Sequence, residues 1–209
     1  MRFTSALGLV TALAVSAALQ AQVGTSPNLV DPNLADRATL RSLPNVGDVL
    51  ADQIIAARPY TSATALNDVV ASSLGDAQRA ELYGRLFRQI NLNTASRDEI
   101  LLIPGMTARM AHEFEEYRPY TSLVQFRREI GKYVDANEVA RLEQYVLVPL
   151  SLNTASAEDF MTIPGMTARM VHEFEEYRPY TSMEQFRREI GKYVDAKEVA
   201  RLESYVTLE

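Results

Sequence analysis

The sequence predicts an all-α protein of three tandem units, each about sixty residues long and each a double helical hairpin. Three observations predict it. Ile103-Pro104-Gly105-Met106-Thr107-Ala108-Arg109-Met110 recurs unchanged at residues 163–170 and in altered form as Leu43-Pro44-Asn45-Val46-Gly47, and a repeat of that period marks stacked supersecondary units. Helix-start signatures succeed one another inside each unit. No segment alternates apolar and polar residues long enough to read as a strand, whereas apolar residues recur at three-to-four spacing.

Taken in order, residues 1–21 read as a secretory signal, with Arg2 as the charged start, an apolar stretch from Ala6 to Leu19 and a cleavage site near Ala21. This stretch of fourteen residues is shorter than the roughly 20 that a bilayer span needs, so an uncleaved membrane anchor is the second choice. Cleavage would leave the chain periplasmic or secreted. Residues 22–32, with Pro27 and Pro32, read as a linker. The units then occupy residues 33–90, 91–150 and 151–209. Residues 93–146 and 153–206 are identical at 43 of 54 positions, while the first unit keeps mainly the skeleton.

The middle unit shows its helices most clearly. Ser96 with Glu99, Ser122 with Gln125 and Asp135 with Glu138 have capping-box spacing, and Thr107 can cap a fourth helix. Helices are expected over 97–103, 108–117, 123–130 and 136–146, stopped by Pro104, by Arg118-Pro119 and by Gly131. Met106, Met110, Phe114 and Tyr117 form one buried stripe, Phe126 and Ile130 a second, and Val139, Leu142 and Val146 a third. The joints at 90–92 and 147–152 are apolar and free of glycine, so they should dock the units together.

Composition limits the function. Apolar residues make up 47% and charged residues 23%, as in globular chains. The net charge is −6, which is +1 from Arg2 together with −1, −2 and −4 over residues 22–90, 91–150 and 151–209. That argues against a strongly basic nucleic-acid surface. Without cysteine there is no disulfide, thiolate metal site or cysteine nucleophile. Enzymatic chemistry finds little support: His112 and His172 occupy equivalent positions, and His112-Glu113-x-x-Glu116 lacks the second histidine of a zinc-protease helix. No cofactor, metal site or small-molecule substrate is expected.

The repeated Pro-Gly turn is the candidate site. A tight turn that opens a helix presents unpaired amides at the positive end of the helix dipole, and a phosphate can bind there. The candidates are Gly47, Gly105, Met106, Thr107, Gly165, Met166 and Thr167, with Arg109, Arg127, Arg128 and Lys132 and their copies Arg169, Arg187, Arg188 and Lys192 as counter-charge. Against them stands the acidic run Glu113, Glu115 and Glu116, and Arg109 and Glu113 are spaced for an i,i+4 pair. Mutual pairing on a solvated surface is the plainer reading of these charges.

The run Asn93-Thr94-Ala95-Ser96, then Ile103-Pro104-Gly105-Met106, then Arg118-Pro119-Tyr120-Thr121-Ser122, resembles the tandem helix-hairpin-helix module of ComEA-type competence DNA receptors. The resemblance extends over all three units and implies sequence-independent duplex DNA binding outside the cytoplasmic membrane, with hairpin amides gripping phosphates. That family's hairpin reads Pro-Gly-Ile-Gly, whereas Thr107 and Thr167 replace the second glycine here and Asn45 replaces the first. The PsbU subunit of photosystem II is similar too, through Pro119-Tyr120-Thr121-Ser122, and implies the alternative of a protein-docking scaffold in a membrane complex.

Overall fold

Four helices recur in each sixty-residue repeat. They are α1 (Arg37–Arg41), α2 (Asp48–Ala56), α3 (Ala63–Ala71) and α4 (Asp76–Tyr83), then α5 (Arg97–Leu101), α6 (Ala108–Glu116), α7 (Leu123–Ile130) and α8 (Ala136–Glu143), then α9 (Ala157–Phe160), α10 (Ala168–Glu176), α11 (Met183–Ile190) and α12 (Ala196–Glu203). This computed structural model describes Val23 and residues 26–209, so the expected signal segment lies outside the described residues. No described helix is long and apolar enough to cross a membrane. The chain is mostly helical, as its periodicity predicts.

The capping signals succeed in part. Thr107 accepts from the Met110 amide at the start of α6, and Ser96 and Glu99 make the reciprocal box on α5. Ser122 and Asp135 cap their helices, but the Gln125 side chain turns back to the Thr121 amide, and Glu138 takes Arg141 instead. Helix α8 stops at Glu143, short of the expected 146, because Val146 and Leu147 leave it as a strand.

The joints between repeats are where expectation and structure part. Strand β1 (Ile90–Asn91) pairs in parallel with β2 (Val146–Leu147), and β3 (Leu150–Ser151) with β4 (Val206–Thr207). Val30 bridges Leu86 in the same sense in the first repeat. Each repeat is thus closed by its own entry and exit segments. A two-residue strand is too short to show alternation in sequence, yet these joints are buried, with Ile90, Leu92, Leu147, Leu150 and Leu152 all in the core. Their backbone groups need partners there, and parallel pairing supplies them. The expected linker is likewise packed from Ser26 onward: Ser26 donates to the Gln144 carbonyl at 2.7 Å, and Leu29 and Val30 lie against the core.

A polar clasp recurs in every repeat. Asn93 Nδ2 donates to the Tyr120 carbonyl at 2.9 Å while its Oδ1 accepts from the Tyr120 amide at 2.6 Å. Arg118 donates to the carbonyls of Leu92 and Ala95 at 2.6 and 2.7 Å. Asn33 with Arg58, and Asn153 with Arg178, do the same in the other repeats. The Asn-Thr-Ala opening therefore fixes the fold, tying the start of the repeat to its Pro-Tyr segment. Replacing Asn93 by Ala leaves two backbone groups without these partners and should destabilise by about 1–3 kcal/mol. Denaturant unfolding checks it, and an unchanged midpoint would contradict the clasp.

Phe114, Phe126 and Leu142 are buried as predicted, and the two rings meet edge to face at 5.2 Å between centroids. One core runs through the first and second repeats, and a second core holds the third repeat together with Val23 and Leu147. The third repeat also docks on the first. Arg88, only 1% exposed, donates to the Tyr60 carbonyl and to Ser204 Oγ, and its guanidinium lies 4.3 Å from the Tyr205 ring centre. Tyr205 in turn donates to Asp31 at 3.3 Å.

Candidate functional site

The three first turns share one backbone geometry and differ in what surrounds them. The Met106 amide donates to the Ile103 carbonyl at 2.9 Å, which puts Gly105 at φ +77° and its copy Gly165 at +74°. Asn45 holds φ +63° at the same place. Only glycine and, next to it, asparagine take this left-handed conformation at low energy, so Asn45 conserves the turn that the first glycine makes. The second glycine position is different in kind. Gly47 and Thr107 are helix N-caps with ordinary negative φ, and Thr107 and Thr167 add a side-chain bond to the amides of Met110 and Met170. Threonine there is a helix cap and leaves the turn intact.

Surroundings separate the three. Around the first turn, Asp48 opens α2 with a carboxylate held by Arg37 and Arg41, and an acid in the first turn of a helix opposes an incoming anion. At the third turn a Cβ on Gly165 would come within 3.1 Å of Leu34, so the side chain of another repeat shares that approach. At Gly105 the nearest atom to such a Cβ is Arg141 Nη2 at 3.7 Å. Gly105, Thr107 and Arg109 are exposed, and the amides of Thr107, Ala108 and Arg109 have no acceptor among the described residues.

The structure brings both turns of the second repeat together. Thr107, Arg109 and Met110 from α6 face Lys132 and Tyr133 from the second turn across a depression of about 260 Å³. Glu113 forms its inner wall. It is 8% exposed, and its Oε2 has no hydrogen-bond partner among the described residues. The spacing that suggested an Arg109–Glu113 pair does not produce one there, since Glu113 turns to the buried side of α6. The acidic run is therefore not one face: Glu115 binds Arg97 at 2.6 Å, and Glu116 stands 3.6 Å from exposed His112. Tyr133 bonds to Tyr117 at 2.8 Å, and this bond, with the Glu113 carboxylate beside it, holds its hydroxyl well above its usual titration range.

The second turns depend on glycine for another reason. Gly131 and Gly191 have φ of −62° and −61°, but a Cβ on either would lie 2.7 Å from a backbone carbonyl of the preceding turn.

Most candidate counter-charges are already paired. Arg127 grips Glu143 through two bonds of 2.6 and 2.7 Å, and Arg187 grips Glu203 in the same way. Arg128 and Lys132 share Glu129, and Arg188 and Lys192 share Glu189. The lysine bonds, more than the arginine bonds, hold both carboxyls below their ordinary range. Arg169 lies 6.0 Å from the Tyr193 ring centre. Arg109 has no carboxylate within ion-pair distance among the described residues. Met106 and Met166 pack on the cores and line no part of the depression.

Sequence reasoning placed Glu113 in the opposing acidic run rather than in the wall of the site, and it missed Tyr133 and Arg141. A signal for Glu113 was present, because it lies three residues after Met110 and four before Tyr117, on the edge of the buried stripe.

No family model and no solved structure matches the chain. It is similar to the endonuclease/exonuclease/phosphatase family domain-containing protein 1 of Xenopus laevis, with 28% identity over a match that covers 43% of this chain. That match covers 21% of the Xenopus laevis protein, so the chain spans about a fifth of the relative's length.

Proposed function

We propose that the chain is a non-enzymatic extracytoplasmic binding protein of three tandem double helix-hairpin-helix units, which holds duplex DNA without sequence preference chiefly through the turn at Gly105. The observation that carries this reading is the open turn itself. A left-handed glycine leaves room for a phosphate oxygen, three amides at the start of α6 lack acceptors, and Arg109 beside them has no acid partner among the described residues.

The pairing of Arg127, Arg128 and Lys132 and of their copies narrows the interface to one or two phosphates, because bases already held by carboxylates neutralise little further charge. The same pairing favours the second reading, a protein-docking scaffold in an envelope complex. Thr107→Gly with Thr167→Gly separates the two. Glycine substitutes for an N-cap threonine at a cost of only a few tenths of a kcal/mol, so the fold should persist. Affinity for a random-sequence duplex, read by fluorescence anisotropy, should hold or rise as the approach widens. A clear loss of affinity at unchanged stability would count against contact through the turn.

A further inference from the structure

We propose that the groove between α9 and α10 docks a partner protein through an arginine side chain followed by an apolar one. The first two repeats show what fits this place. In the first, Arg37 reaches from α1 across to α2, with Nε 2.6 Å from Asp52 and Nη2 2.7 Å from Asp48. In the second, Arg97 crosses from α5 to α6, donating to Glu115 at 2.6 Å and to the Ala108 carbonyl at 2.9 Å. The third repeat has Ala157 at this position, yet it keeps the acceptors, Glu175 and the Ala168 carbonyl. Glu175 is left with Arg178 at 3.7 Å.

One further exchange enlarges the apolar floor of the groove, Val171 where the second repeat has Ala111, while Met161 keeps an apolar side chain where the second repeat has Leu101. The result is an open groove of about 390 Å³, floored by Ala157, Met161, Ala168 and Val171 and rimmed by Glu158 and Glu175. His172 lies at its edge, and Met161 is 49% exposed. An incoming guanidinium would regain the carboxylate and carbonyl bonds that Arg97 makes in the second repeat. Its planar fork suits two acceptors better than an ammonium does, and its stem can lie on the apolar floor. The third repeat also carries the largest acidic excess, −4, which steers a basic partner toward it. This docking site does not depend on the reading of the Gly105 turn.

The probe is N-acetyl-arginyl-leucinamide, titrated into the intact protein while backbone amide NMR shifts are followed. Saturable shifts are expected at Met161, Ala168, Val171 and Glu175, with Leu101, Ala108 and Ala111 of the second repeat unmoved. The lysyl analogue should give smaller shifts. Ala157→Arg rebuilds the internal clamp and should abolish the shifts without lowering the melting temperature, while Arg97→Ala should create new shifts at Leu101 and Ala108. Absence of saturable shifts in the unmodified protein, or their survival in Ala157→Arg, would overturn the proposal.

Discussion

Phe114→Ala should destabilise the protein by about 3–5 kcal/mol, a large share of the 5–15 kcal/mol that holds a typical domain together. The ring is fully buried on α6, packs edge to face on Phe126, and belongs to the core that runs through the first and second repeats. Its loss leaves a cavity that neighbouring helices, fixed by their own caps and clasps, cannot close. The first repeat carries Ile54 at the equivalent position, also fully buried, so Phe114→Ile should cost much less than Phe114→Ala. Because the core is shared, hydrogen exchange should quicken in both of these repeats and least around Phe174, which lies in the other core. Unfolding confined to the second repeat would show that the core is not continuous.

Gly105→Asn should leave the fold nearly intact and remove most of the duplex affinity. Asparagine already holds the same left-handed turn at Asn45, so the backbone can keep φ near +77° at modest cost. The added Cβ would come 3.7 Å from Arg141 Nη2, and the side chain beyond it would crowd the open approach that a phosphate oxygen needs at this turn. The same exchange at Gly165 should matter less, since Leu34 already borders that turn. Equal losses at the two glycines would contradict the distinction between an open turn and a bordered one. Melting curves of both variants separate loss of contact from loss of structure.

Local signals in the sequence were enough to find the helices. Caps such as Ser96 and Thr107, and stops such as Pro104 and Gly131, act within a few residues, so they can be read without knowing the tertiary structure. The stripe through Phe114 likewise identified the core. What could not be read this way depends on distant partners. The joint strands pair the two ends of a repeat, Arg127 finds Glu143 on another helix, and Leu34 meets Gly165 across the molecule. One distant signal was available in the differences between the two near-identical repeats. Several of their exchanges fall at contacts that only one copy makes: Glu99 accepts from the Ala63 amide besides closing its own capping box, where Asp159 closes the box alone, Gln144 receives Ser26 and Asn28 where Ser204 receives Arg88, and Arg97 spans the groove that Ala157 leaves open.

The claim that this acidic chain holds the duplex backbone through one open turn is tested most directly by a salt series of binding to random-sequence DNA. With one or two phosphates contacted, the logarithm of the binding constant should fall linearly with the logarithm of salt concentration, at a slope of about −0.9 to −1.8. Gly105→Asn should weaken binding and flatten that slope. If the unmodified protein binds no duplex even at low salt, where attraction between charges is least screened, or if its affinity does not respond to salt, contact with the phosphate backbone through this turn is contradicted.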